Sequence, residues 1–341
     1  MKKRIIALAL VAILVSATLI GCGSDSGTVS GEGTKVGLVL AGGLGDRSFY
    51  DSANEGVEEA KEKLGIDFKV YECRNDPSLY NDQMVQASQY ADIVAVVGHE
   101  FGDLILEIPT EFPEVHYIYV DSEIEGIDNV TTVSYAENEG SFLAGALAAM
   151  LTTDTSIEGM NADKKIGMVG GMDIPVIRNF LVGYEAGAKY IDPDMEVIPL
   201  FAEDFEDPAK GKESATVLYD RGADIVFAVA GKTGEGVFEA AKELDRYAIG
   251  VDTDQRYINP ESIVASMVKR VGKSIYEVIE IVENGDIEPG KVVYYGLSQD
   301  GVGMGYGTDD MVQYATEEMK AELEDIKTKI VSGEIEVPAG K

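Results

Sequence analysis

From Lys35 onward the chain alternates short apolar, β-branched runs with stretches of helical period, and it does so in two series. The first series reads "KVGLVLA" as a strand. A helix follows with Ala53, Val57, Ala60 and Leu64 on one face, then "FKVYE", "DIVAVVG" and "VHYIYVD" as strands separated by "YNDQMVQASQY" and "LILEIPTEF" as helices. The second series opens on the small-residue helix "EGSFLAGALAAML". It continues through the strands "KKIGMVGG", "MEVIPLFAE", "DIVFAVAG" and "YAIGVD", each followed or preceded by a helical stretch. Strands that are apolar along their whole length bury both faces, and helices between them make crossover connections. The pattern therefore predicts an α/β fold of two doubly wound parallel-sheet lobes. A length of 341 residues is enough for two such bodies. Beyond Asp254 the rhythm changes, with "SIVASMVKR", the helix "SIYEVIEIVENG", two extended pieces in "VVYYGLSQDGVGMGYG" and a charged C-terminal helix. These late elements are too few for a third domain and are expected to cross back and complete the two lobes. The predicted boundaries are 35–126 with 264–290 for the N-terminal lobe, and 127–263 with 291–341 for the C-terminal lobe.

The first residues stand outside that rhythm. "MKKR" is a basic leader, and "IIALALVAILVSATLI" is an uncharged apolar run of 16 residues, short for a membrane span. It ends in "LIGC", the order of a bacterial lipobox. Residues 1–21 are accordingly expected to be a lipoprotein signal peptide, and Cys22 the lipidated first residue of the mature chain. The polar "GSDSGTVSGEGT" that follows completes a flexible tether over 22–34. This predicts a protein held at the outer face of a bacterial cytoplasmic membrane through its acyl chains.

Charge and composition exclude several partners. The net charge is −33, and loss of Lys2, Lys3 and Arg4 with the leader takes it to −36. Such a surface repels nucleic acid and anionic lipid and keeps an exported protein soluble; the expected state is a monomer. With Cys73 the one cysteine left beside Cys22, no disulfide forms within the mature domain and no cysteine metal cluster is possible. His99 and His116 are too few for a histidine-rich metal site, and each reads as a surface or satisfied core residue. No metal and no cofactor are expected.

Ligands of open α/β sheets sit at the carboxyl ends of the strands. "LAGGLGDRSFY" follows the first strand and supplies Asp46, Ser48, Phe49 and Tyr50. Later strand ends supply Asp121, Phe205, Gly231 with Lys232 and Thr233, Asp252 with Asp254, and Lys269. Taken singly, an aspartate there is a helix cap or turn residue. Together they describe one cleft with two aromatics, several carboxylates and a lysine. Two phosphate motifs are decoys. "GGLGD" lacks the G-x-G-x-x-G spacing and puts an aspartate at the helix start. "AVAGKTGEG" would need the first Walker glycine at Val226, inside a strand. No G-x-S-x-G, H-E-x-x-H or Cys–His arrangement is present.

In order, "GDRSF", "NEGSFLAG", "GYEAGAKYIDP", "FEDPAKGKE", "VFAVAGKTGEGVFEAAKE", "YAIGVDTDQ", "SMVKR" and "IVSGEIEVP" run through the mature chain. With the lipobox, this set resembles the basic membrane protein family, PnrA-like lipoproteins that serve as solute receptors of ABC importers. The resemblance implies a type I periplasmic-binding-protein fold, two lobes joined by three crossover segments and closing on a small-molecule ligand. It implies a nucleoside, with purine nucleosides favoured, and an ABC permease and ATPase as partners, with no catalytic step. In the family pattern Phe49 and Phe205 would sandwich the base. Asp121 and Asp252 would accept from ribose hydroxyls, Lys269 would add a donor, and Gly231 would let backbone approach the sugar. Stacking on two faces contributes about 1–3 kcal/mol per base, and carboxylates bind a diol through charge-assisted bonds. The family usually has Asp where this chain has Leu40, Asn where it has Tyr50, and Gly where it has Lys232. Those positions and Ser48 are where this chain's own specificity is expected, while Asp46 and Ser48 shape the loop and cap its helix. The alternatives are the same fold holding another solute, a chemosensory receptor, or an enzyme such as a nucleoside hydrolase.

Overall fold

The computed structural model describes residues 33–340; the expected signal peptide, Cys22 and nearly all of the tether lie outside the described residues. The chain runs β1 (Lys35–Leu40), α1 (Phe49–Leu64), β2 (Asp67–Glu72), α2 (Pro77–Tyr90), β3 (Ile93–Val97), α3 (Leu104–Glu111), β4 (His116–Val120) and β5 (Val130–Tyr135). It continues through α4 (Glu137–Thr152), β6 (Lys165–Gly170), α5 (Pro175–Ile191), β7 (Glu196–Phe201), α6 (Pro208–Asp220), β8 (Ile225–Val229), α7 (Gly234–Glu243), β9 (Tyr247–Asp252) and β10 (Ile263–Lys269). It ends with α8 (Val271–Asn284), β11 (Val292–Tyr295), β12 (Val302–Gly305) and α9 (Glu317–Val331).

Local chemistry sets many of these ends. Asp76 and Asp207 each precede a proline at the first helical position and accept from backbone N–H groups of the first turn, at Ser78 and at Ala209 and Lys210. Gly65 closes α1 with a left-handed φ of 75°, which a side chain would resist. Mid-sheet strands β3 and β8 are buried along their length, whereas the edge strands β2 and β7 are half-exposed. Continuous apolar runs thus mark sheet centres here.

Two six-stranded sheets result, in the orders β11-β5-β4-β3-β1-β2 and β12-β10-β9-β8-β6-β7. The first is parallel throughout. The second is parallel except for β12, which lies antiparallel on β10. The chain passes between sheets after β5, after β10 and after β11.

These pairings correct the expected lobe boundaries. Residues 130–135 and 292–295 belong to the first sheet, and 263–269 to the second. The expectation ended the first lobe one strand early because "VTTVSY" carries two threonines and a serine and does not read as a core strand. Thr131 and Thr132 are nevertheless fully buried. The Thr131 hydroxyl pairs with His116 Nε2 at 3.0 Å and Thr132 donates to the Ile124 carbonyl at 3.0 Å, so neither pays for an unmatched polar group.

Candidate functional site

The carboxyl ends of both sheets face one cleft, with about 690 Å³ of space between atoms, its open mouth included. Phe49, Tyr50, Asp121, Phe205, Gly231, Lys232, Asp252 and Lys269 all line it. Ser48 and Leu40 do not. Leu40 is the last residue of β1, fully buried between β2 and β3, and belongs to the core. The expectation that it sets ligand specificity directly is therefore corrected.

The loop after β1 is pinned from both sides. Asp46, 2% exposed, accepts from the backbone N–H groups of Ser48, Tyr50 and Asp51 at 3.1, 2.9 and 3.0 Å. It is the side chain that closes the start of α1. Burial pushes its carboxyl up to about 6, against the pull of those three bonds. Ser48 makes no side-chain cap bond, contrary to expectation. Its hydroxyl instead donates across the cleft to Asp252 Oδ2 at 2.5 Å. The Arg47 carbonyl, on a residue with φ of 53°, accepts from Thr253 Oγ1 and Gln255 Nε2, each at 3.0 Å. Arg47 also faces Glu235 at 3.6 Å. The lobes are thus closed onto one another at this loop.

Lys269, at the end of β10 and 1% exposed, is the electrostatic centre of one end of the cleft. Its Nζ lies 2.5 Å from Asp121 Oδ1 and 3.1 Å from Glu137 Oε1. It also sits over the rings of Tyr135, Phe49 and Phe180, at 4.7, 5.3 and 5.5 Å. Burial by itself would lower the ammonium; Asp121, Glu137 and Asp252 outweigh it and hold the group above its usual range. Burial drives Asp252 up to about 7, opposed by the Lys269 charge and the Ser48 hydrogen bond. Burial likewise raises Glu137, with Lys269 opposing. Asp121 and Asp252 both have left-handed backbone, with φ of 62° and 65°. Such strain at two strand ends is kept where a side chain must be aimed.

The aromatic wall draws on both lobes, Phe49 from α1 and Phe205 from the loop after β7. The His99 ring meets Phe205 edge-on with centroids 6.4 Å apart. Gly231 has φ of 54°, and a Cβ there would come within 3.3 Å of the Phe205 carbonyl oxygen. Lys232 Nζ stands 3.8 Å from Glu206 Oε2. The cleft presents aromatic rings from both lobes and carboxylates able to accept from hydroxyl donors.

The structure adds residues that sequence reading missed. His99 and Glu100 follow β3; Ile174, Ile177 and Phe180 follow β6; Glu206 follows Phe205. His99 and Glu100 follow β3 and are legible from the strand-end rule, whereas Ile177 and Phe180 project from α5 and need the fold. Glu137 stands two residues past the end of β5, at the start of α4, and was hidden because "VTTVSY" does not read as a core strand. Cys73 and His116 are not part of the cleft lining; His99, expected to be a surface or satisfied core residue, is, and that expectation is corrected. Cys73 is a buried thiol pushed up to about 12 by burial first and nearby carboxylates second, and burial lowers the His116 imidazole to about 4. Among the described residues no group of three or more His, Cys, Asp or Glu is arranged to hold a metal ion.

Residues 33–341 match the family described as ABC transporter substrate-binding protein PnrA-like. The chain is 33% identical over 366 aligned positions to the ABC transporter nucleoside-binding protein BmpA of Lactococcus lactis, covering 99% of this chain and 100% of that protein. It is 30% identical to basic membrane protein A of Borreliella burgdorferi, covering 97% and 95% of the two chains. Among solved structures, an ABC transporter solute-binding protein from Aeropyrum pernix superposes with a TM-score of 0.79 at 27% identity, covering 89% and 94%. The fold is that of the periplasmic-binding-protein superfamily, and the chain belongs to the PnrA-like family of ABC-importer substrate-binding proteins.

Proposed function

We propose that this protein is a lipid-anchored receptor, tethered through Cys22, that binds a nucleoside between its lobes and hands it to a membrane permease. We read its three inter-sheet passages as the type I arrangement. The observation that carries the ligand reading is the meeting of Phe49 and Phe205, from different lobes, in a cleft whose end holds Asp121, Asp252 and Lys269. A planar base suits the two rings, and a ribose diol suits the two aspartates. Five carboxylates and two lysines line this cleft, which favours a neutral ligand over a phosphorylated one. The name of the Lactococcus relative supports the same class. A ligand touching both lobes stabilises the closed form by its extra contacts there.

A thermal-shift screen of nucleosides, nucleobases and other small solutes tests this. At least one nucleoside raises the melting temperature by mass action, and Phe49→Ala and Asp252→Ala abolish that shift. A screen in which every nucleoside is silent while another solute stabilises the protein refutes the ligand assignment.

A further inference from the structure

The C-terminal motif "IVSGEIEVP" supplies no lining residue of the cleft, yet the chain just beyond it packs on a helix that does. Ile335 and Val337 pack half-buried against the core. Asn138, in the first turn of α4, donates to the Val337 and Pro338 carbonyls at 3.4 and 3.1 Å. The Gly340 N–H then donates to Asn179 Oδ1, in α5, at 3.1 Å. Gly340 sits so close to α5 that a Cβ there would lie 2.6 Å from the Arg178 carbonyl oxygen. The same stretch of α5 lines the cleft through Val176, Ile177 and Phe180.

From Gly340 a run of polar contacts leads into the site. Asn179 Nδ2 donates to Glu137 Oε2 at 2.7 Å. Glu137 Oε1 faces Lys269 Nζ at 3.1 Å, and Lys269 faces Asp121 Oδ1 at 2.5 Å. One orientation of the Asn179 amide satisfies both its neighbours, with its oxygen on an N–H and its nitrogen on a carboxylate. The flipped amide would set donor on donor and acceptor on acceptor.

Glu137 is 4% exposed, and each of its oxygens has one of these partners. Turning the carboxylate would leave a buried acceptor unmatched, which is costly. Asn179 therefore sets where Glu137 points, and Glu137 with Asp121 sets where the Lys269 ammonium stands. Glu137 follows the first passage between the sheets and Lys269 precedes the second, so this run of contacts lies where the lobes join. We infer that the C-terminal tail, residues 332–340, is a positioning element of the ligand site: it holds Asn179, which aims Glu137 at Lys269.

A double-mutant cycle in the full chain tests this, with binding read by calorimetric titration of guanosine, inosine and adenosine; that readout rests on the nucleoside reading. Gly340→Val lifts the tail from α5 and leaves Asn179, Glu137 and Lys269 unchanged. Asn179→Ala removes the link itself. Gly340→Val should weaken every nucleoside that the wild type binds by about 3-fold or more, with the urea midpoint of the ligand-free protein near the wild-type value. Asn179→Ala should lose at least as much. The double variant should lose no more than Asn179→Ala alone, because both changes act through one link. Wild-type affinity in Gly340→Val, or losses that add in the double variant, overturns the inference. If Asn179→Ala does not fold, Gly340→Val alone decides. Silence of the wild type toward all three nucleosides refutes the nucleoside reading, and hydrogen exchange of the ligand-free chain then decides this inference separately. Gly340→Val should speed exchange of the Glu139 and Gly140 amides, which bond the Ala136 carbonyl in the first turn of α4. Unchanged exchange there overturns it.

Discussion

Lys269 shows how one residue organises the site. Its ammonium is the cation between Asp121 and Glu137, and its charge also reaches Asp252. Lys269→Met keeps the bulk and removes the charge, leaving those carboxylates buried without it. We expect a loss of about 3–5 kcal/mol in urea unfolding at neutral pH, the usual cost of breaking a buried ion pair from one side. The loss should shrink as acid neutralises the carboxylates; an unchanged midpoint would show that Lys269 is dispensable to the fold. Asp252 gives a second test. Its folded pKa is raised to about 7 by burial, so between about 4 and 7 the folded state holds a proton that the unfolded state has released. The stability this contributes is complete below pH 4 and is lost as pH rises through 7. Asp252→Asn removes it, so the wild type should gain on the variant in melting temperature as pH falls from 8 to 5. Parallel profiles would contradict the assignment. Much of the cleft's lining was legible beforehand: Phe49, Asp121, Phe205, Asp252 and Lys269 were placed near strand ends from the sequence, and all five line the cleft. Leu40 was misplaced because a sequence offset does not say which face of a strand points inward. Glu100 follows β3 and was legible by the same rule, whereas Glu206, one residue past Phe205, carries no distinguishing signal in an acidic chain until the fold places it in the cleft.

At the scale of elements, glycines decide how closely helices meet. In α4 and α5 a Cβ at Gly145, Gly183 or Gly187 would fall 2.0, 2.2 or 1.9 Å from a backbone oxygen of the facing helix. The same holds where Gly56 of α1 meets Gly272 of α8, and where Gly236 of α7 meets Pro208 of α6. Such contacts leave no room for a methyl group. The close-packing role expected of "EGSFLAGALAAML" is thus realised against α5. Gly187→Ala should cost about 1–3 kcal/mol or more, read as a lowered urea midpoint with unchanged slope. A wild-type midpoint would mean that α4 and α5 separate easily. The alternation of strands and helices was legible because buried parallel strands leave continuous apolar runs. The sheet assignments of β5, β10 and β11 were not, since pairing across a lobe boundary depends on where a crossing falls. That in turn depends on buried threonines that look polar in sequence and on partners far along the chain.

For the whole molecule, closure is the property that links fold to function. Ser48 with Asp252, and the Arg47 carbonyl with Thr253 and Gln255, join the lobes at one loop. Phe49 and Phe205 line the cleft beside this loop. A ligand adds stacking and hydroxyl contacts to both sides, which is how a receptor reports occupancy to a permease. The most direct test is calorimetric titration of purine nucleosides into the wild type and into Phe205→Ala, with a nucleoside 5′-monophosphate as control. The account predicts saturable binding to the wild type at one ligand per chain, a loss of about 10-fold or more in Phe205→Ala, and no binding of the monophosphate. Nucleoside binding that survives Phe205→Ala unchanged, or no heat from any nucleoside, would contradict it.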